Sequence, residues 1–196
     1  MADMTPTLRL VDDPDTDALL SENPFALLVG MLLDQQVPME VAFAGPAKIL
    51  GRFGSLDPAT IASADPEEFL ADFAQPPAVH RFPKSMAQRV QALAAAVADD
   101  WGGDTTTIWT DGAPTGKQIL TRLKALPGFG EQKAKIFLAL LGKQCGLDAP
   151  GWREAAGDYG VEGSHRSIAD VVDPESLLAV RAFKKEQKAA AKAAKA

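Results

Sequence analysis

Apolar residues in this chain recur at spacings of three and four and almost nowhere at two. That periodicity confines the chain to helices and leaves no sheet to build. Short Pro and Gly signals separate the apolar stretches. Asn23-Pro24, Asp57-Pro58, Asp65-Pro66 and Asp173-Pro174 each set a capping side chain ahead of a proline, whose missing amide costs nothing in a first helical turn. Glu68 adds a capping box to the third of these. The helix entered at Asn23-Pro24 has Phe25, Leu28, Val29, Leu32 and Leu33 on one stripe, and Pro38 either closes it or opens the next. Further helices are predicted over 41–53, after Asp57 and Asp65, and over 85–101, from Gly116 or Lys117 to Ala125, and over 131–143, 152–156 and 173–183, with loops over 76–83 and 104–115. Their core faces include Met86, Val90, Leu93 and Val97, then Ile119, Leu120 and Leu123, then Ala134, Phe137, Leu138 and Leu141. The expectation is an all-α chain of one domain over residues 1–183, followed by a Lys/Ala-rich basic segment over 184–196.

Its 196 residues suffice for a single core. No run of 18 apolar residues is present, and residues 1–6 lack a basic region leading into an apolar stretch, so the expectation is a cytoplasmic protein. One cysteine, Cys145, and two histidines, His80 and His165, cannot supply a thiolate-rich zinc site or the cage of an iron-sulfur cluster, so no metal or other cofactor is expected. The formal charge of −6 opposes a polyanionic partner only on average. Residues 1–80 hold 13 acids against Arg9, Lys48 and Arg52, whereas residues 81–196 hold 13 acids against 17 bases. Within a Debye length it is local sign that governs phosphate contact, so the second half can still grip a nucleic acid. From Arg181 onwards six bases face Glu186 alone, which reads as a DNA-binding arm, a helix that forms on DNA, or a solvated helix extension.

The segment Leu126-Pro127-Gly128-Phe129-Gly130, between two amphipathic stretches, has its own physical logic. Glycines at 128 and 130 allow positive φ and close backbone approach, so consecutive amides can converge at the start of the next helix, where its dipole is positive. Lys124, Lys133, Lys135 and Lys143 lie nearby in sequence, and the expected ligand is a backbone phosphate bound without regard to base sequence. The alternative is a turn between helices that merely needs glycine.

This hairpin resembles the helix-hairpin-helix of the HhH-GPD DNA glycosylases, which excise damaged or mismatched bases. Leu27-Leu28-Val29-Gly30-Met31-Leu32-Leu33-Asp34-Gln35-Gln36-Val37 is similar to the family's first core helix, which ends in a Gln-Gln element beside the DNA. Phe82-Pro83-Lys84-Ser85-Met86-Ala87-Gln88-Arg89-Val90 resembles the segment leading to the helix before the hairpin. The three segments fall in the family's order over roughly residues 24–160, and the overall flavour is that of the actinobacterial-type HhH-GPD repair proteins.

The resemblance implies a two-lobed all-α fold, with the lobe carrying the hairpin over about 24–136 and the chain's ends completing the other. It implies a monomer at the nucleoid whose partner is double-stranded DNA holding a damaged or mismatched base, flipped into a cleft between the lobes. Gln36 corresponds to the residue that fills the vacated stack. Phe82 is either a second wedge or a core residue, and the core is the expected place. The residues implied to hold DNA are Gln36, Leu126, Gly128, Phe129, Gly130, Gln132, Lys133 and Lys135, with Gln35 and Trp152 at the base. Trp101 and Trp109 are expected in the core. The family's catalytic aspartate maps to Asp148, with Glu154 and Asp158 as fallbacks. Strand-nicking members carry an imine-forming lysine where this chain has Gln132. Lys133 projects about 100° away from that position around the helix, so base removal without strand cleavage is expected. A catalytically silent protein that recognises distorted duplex is the alternative.

Overall fold

A computed structural model describes residues 5–196, and the reading of the N-terminus over residues 1–4 lies outside them. Among the described residues the chain is helical without a strand. Its helices are α1 (Pro14–Glu22), α2 (Pro24–Leu33), α3 (Met39–Phe53), α4 (Pro58–Ser63), α5 (Pro66–Ala74), α6 (Pro83–Asp100), α7 (Thr107–Thr110), α8 (Gly116–Lys124), α9 (Glu131–Gln144), α10 (Trp152–Ala156) and α11 (Pro174–Ala193), with 3-10 turns over Gly157–Gly160 and Ile168–Asp170. Asn23, Asp57, Asp65 and Asp173 cap their helices as the sequence predicts.

Four expectations are corrected. Helix α1 was not foreseen, although Asp13-Pro14 carries the same capping signal; its segment is mostly polar and offers too few apolar residues for a periodic stripe. Helices α3 and α6 start two residues early, at Met39 and Pro83, because a proline's fixed φ suits entry into a helix. The connection over 104–115 contains the short α7. The helix predicted over 173–183 runs on to Ala193, so of the three readings of the basic segment the helix extension is the one observed.

Helix α2 organises the fold. Every residue from Phe25 to Leu33 is buried, as expected of a helix apolar on all sides. It packs on α1, α3, α6 and α9. Gly30 makes this closeness possible, since a Cβ there would sit 2.5 Å from the Phe43 ring of α3. Helices α4 and α5 pack on α6, while α8, α10 and both 3-10 turns gather around α9. This arrangement carries the chain leaving α2, residues 34–37, to the place where α9 begins.

Candidate functional site

The hairpin between α8 and α9 is built on apolar contacts. Leu126 and Phe129 are each 5% exposed, and the Phe129 ring meets Phe137 edge-on at 6.3 Å, so both belong to the core and carry the turn rather than presenting side chains outward. Gly128 is left-handed at φ +80°, and a Cβ there would lie 2.3 Å from Leu32 Cδ1 on α2. Gly130 departs from the expectation of positive φ. It caps α9 in extended backbone at φ −78° and ψ 179°, with open space where a side chain would stand. No side chain caps α9, so its first amides face outward. Glu131 stands beside them, 3.8 Å from Lys124 and 3.7 Å from Lys135. Lys143 leaves the hairpin's basic set. Its ammonium donates to Asp170 at 2.6 Å and to the Val161 carbonyl, with only 11% of the lysine and 3% of the aspartate side chain exposed.

Beside the hairpin lies a cleft of about 1030 Å³, enclosed by the α2–α3 connection, the first turns of α9, Tyr159 and Arg166, and one side of α11. Gln36 stands at its rim, exposed and left-handed at φ 59°, an uncommon conformation for a residue with a side chain. His80 holds this loop from within. It is 1% exposed, its Nε2–H donates to the Gln35 carbonyl at 3.0 Å, and its Nδ1 accepts the Phe82 amide. Burial lowers the His80 pKa below its ordinary value and favours the neutral ring, against the pull of that carbonyl toward the charged one. Gln35 lines the cleft while its side-chain amide turns to Met86 Sδ at 3.3 Å. Gln132 donates to the Tyr159 hydroxyl at 2.9 Å.

The cleft's charges are unusual. Asp34, the residue after α2, has a side chain only 7% exposed, with Oδ2 lying 3.5 Å from Lys184 of α11. Burial raises its carboxyl above the usual carboxylate range, while the Lys184 and Lys133 ammoniums pull it back. Lys133 donates to the Leu32 carbonyl at 2.7 Å, and burial brings its pKa down to about 8, with Asp34 acting the other way. Lys133 thus reaches into the cleft toward the end of α2 and is not aligned with the outward amides of α9. On α3, Glu40 lies 3.1 Å from Arg181, so α11 is fastened across the cleft at two points.

Several expected site residues lie elsewhere. Asp148 is exposed in the loop before α10 and does not line the cleft, nor do the exposed Glu154 and Asp158. Trp152 is wedged between α8 and α9, where a Cβ on Gly116 would strike its backbone and one on Gly142 its ring. Arg153 covers its outer face at 4.5 Å, so this ring serves packing and is not at the cleft. Trp101 and Trp109 pack against the core as expected. Phe82 is corrected outward: it is 42% exposed under Arg81, because His80 takes the interior place ahead of α6. Sequence reading missed Asp34, Tyr159 and α11 as walls of the cleft. For Asp34 a signal existed, a lone acid closing a wholly apolar helix.

An all-helical fold with a glycine-turned hairpin beside a basic cleft defines a helix-hairpin-helix protein. A family model described as HhH-GPD superfamily base excision DNA repair protein matches residues 29–193. The chain belongs to that superfamily, which makes it a DNA-binding base excision repair protein of the DNA glycosylase type. Comparison with curated proteins and with solved structures found no match.

Proposed function

We propose that this protein removes a damaged or mismatched base from duplex DNA by hydrolysing the N-glycosidic bond, without nicking the strand. The cleft carries the reading: a space of about 1030 Å³ opens where Gln36 is presented on left-handed backbone and where the uncapped start of α9 faces outward. In this reading the α9 amides and Gly130 hold a backbone phosphate, Gln36 enters the stack, and the flipped nucleotide occupies the cleft between a lobe of about 24–136 and one completed by the chain's ends. Hydrolysis rather than imine chemistry is supported by the Gln132 amide held on Tyr159 and the Lys133 ammonium held on Leu32.

The test is base release from labelled duplexes containing uracil, hypoxanthine, 3-methyladenine, 8-oxoguanine or mismatched thymine, with and without alkali. Strand breaks that appear only after alkali are the expected result, and breaks without alkali would replace hydrolysis by a lyase. One observation favours a second reading, a silent binder of distorted duplex: Asp148, the carboxylate implied by the resemblance, is exposed outside the cleft. Salt-sensitive duplex binding with no release from any lesion would establish that second reading.

A further inference from the structure

Several aspartates of this chain have plain work in the fold. Asp13, Asp57, Asp65 and Asp173 cap helix N-termini, where amides and dipole both welcome a negative charge. Buried Asp17 accepts the amides of Leu10 and Val11, and buried Asp170 accepts those of Arg166 and Ser167 together with Lys143. Asp34 fits neither group. It follows the C-terminal end of α2, where the dipole opposes an anion, and among the described residues no backbone amide donates to it. Its side chain is nevertheless almost wholly removed from solvent and lines the cleft described above. Burial, dipole and lack of amides all make a charge at this position expensive, and the return is a 3.5 Å contact with Lys184 and the more distant charge of Lys133. An acid kept at such a cost inside a cleft is the pattern of a functional group.

We propose that Asp34 is the carboxylate that faces the sugar during base release. This inference rests on the glycosylase reading above. As the C1′–N bond breaks, its electron pair leaves with the base, which is protonated from solvent, and the positive charge that develops on the sugar lies against the Asp34 carboxylate. Water then forms the new bond to C1′ and passes its proton to that carboxylate. The other acid in the cleft, Glu40, already faces the Arg181 guanidinium at 3.1 Å. Of the groups facing Asp34, Lys184 comes from α11, Lys133 from α9 and Glu40 from α3. With its pKa near 8, Lys133 gives up part of its charge close to neutrality and so opposes the developing cation less than an ordinary lysine would.

The experiment uses the full chain and two duplexes, one carrying a pyrrolidine abasic nucleotide, which is cationic at neutral pH, and one carrying its neutral tetrahydrofuran counterpart. The wild type is expected to bind the cationic duplex at least about tenfold more tightly, a modest coupling for a close, partly desolvated charge pair. Asp34→Asn should bring the two affinities within about twofold, a loss of preference that a merely structural aspartate does not produce. Preference for the cation that survives Asp34→Asn overturns the assignment. So does a preference lost in Asp148→Asn alone, which returns the role to Asp148. Loss of preference in Lys184→Met as complete as in Asp34→Asn also overturns it, because the pair then acts as a fastening. Binding of both duplexes without preference in the wild type overturns the assignment but leaves the DNA-binding reading standing. Binding of neither defeats the glycosylase reading, and the assignment falls with it.

Discussion

Gly128 and Gly130 stand two residues apart in one turn, and the structure predicts opposite outcomes for the same substitution. At Gly128 an alanine must adopt φ +80°, which costs about 1–2 kcal/mol. Its Cβ also lands 2.3 Å from Leu32 Cδ1, and Leu32 is 0% exposed, so the core must give way at an overpacking cost of about 1–3 kcal/mol. The less flexible unfolded chain returns about 0.4–1 kcal/mol. The net expectation for Gly128→Ala is a loss of about 2–4 kcal/mol, a large share of the roughly 5–15 kcal/mol that holds such a domain. At Gly130, φ is −78° and nothing lies within 4 Å of the added methyl. Alanine is the poorer N-cap by about 0.5–1 kcal/mol, which offsets an unfolded-state gain of about 0.4–1 kcal/mol, so stability should stay within about 0.5 kcal/mol. Urea denaturation followed by tryptophan fluorescence measures both, read as midpoint shifts at unchanged slope. Equal destabilisation by the two alanines, or a Gly128→Ala protein as stable as the parent, would refute the geometry. In the folded Gly130→Ala protein, duplex affinity should nonetheless fall, because the methyl stands over the outward amides of α9.

Lys143→Met strands the Asp170 carboxylate in the interior. Removing one partner of a buried pair costs roughly 3–5 kcal/mol, and the amides of Arg166 and Ser167 that remain on Asp170 place the loss near about 3 kcal/mol, measured by the same denaturation. The pKa of Lys133 is lowered to about 8 from the ordinary 10.5, so between those values the unfolded chain binds more protons than the folded one. Stability should therefore rise with pH from about 8 to the ordinary thiol value of 9.0, Lys48 contributing in the same direction, before the raised Cys145 pKa opposes it, and Lys133→Met should flatten the rise. Burial pushes the pKa of the partly exposed Cys145 thiol up to about 12, so iodoacetamide at pH 8 should label it far more slowly than a free thiol. Labelling of the native protein at the free-thiol rate would contradict that shift.

The boundaries of most helices were legible because they rest on chemistry confined to a few residues. A capping Asp or Asn with proline behind it names a helix start wherever it occurs, and Asp13 shows that the same signal held even where the apolar stripe was too thin to support it. The hairpin was legible for the same reason, since a turn between two amphipathic stretches needs glycine locally. The site was legible only in part. Gln36 and the start of α9 come from contiguous motifs, but the walls of the cleft come from residues 34, 132, 159 and 184, and no spacing along the chain marks them as neighbours.

Local sequence therefore determined that this protein is all-helical, where its helices begin, and which superfamily its motifs belong to, because caps, turns and periodicity act over a few residues at a time. Only the tertiary structure decided what each polar side chain faces. Packing α11 across the end of α2 set Lys184 against Asp34 and removed the aspartate from water. Packing the loop over 161–170 on α9 took Lys143 from the phosphate side and buried it against Asp170. Desolvation and charge depend on neighbours in space, and those neighbours exist only once α9 and α11 lie beside the end of α2.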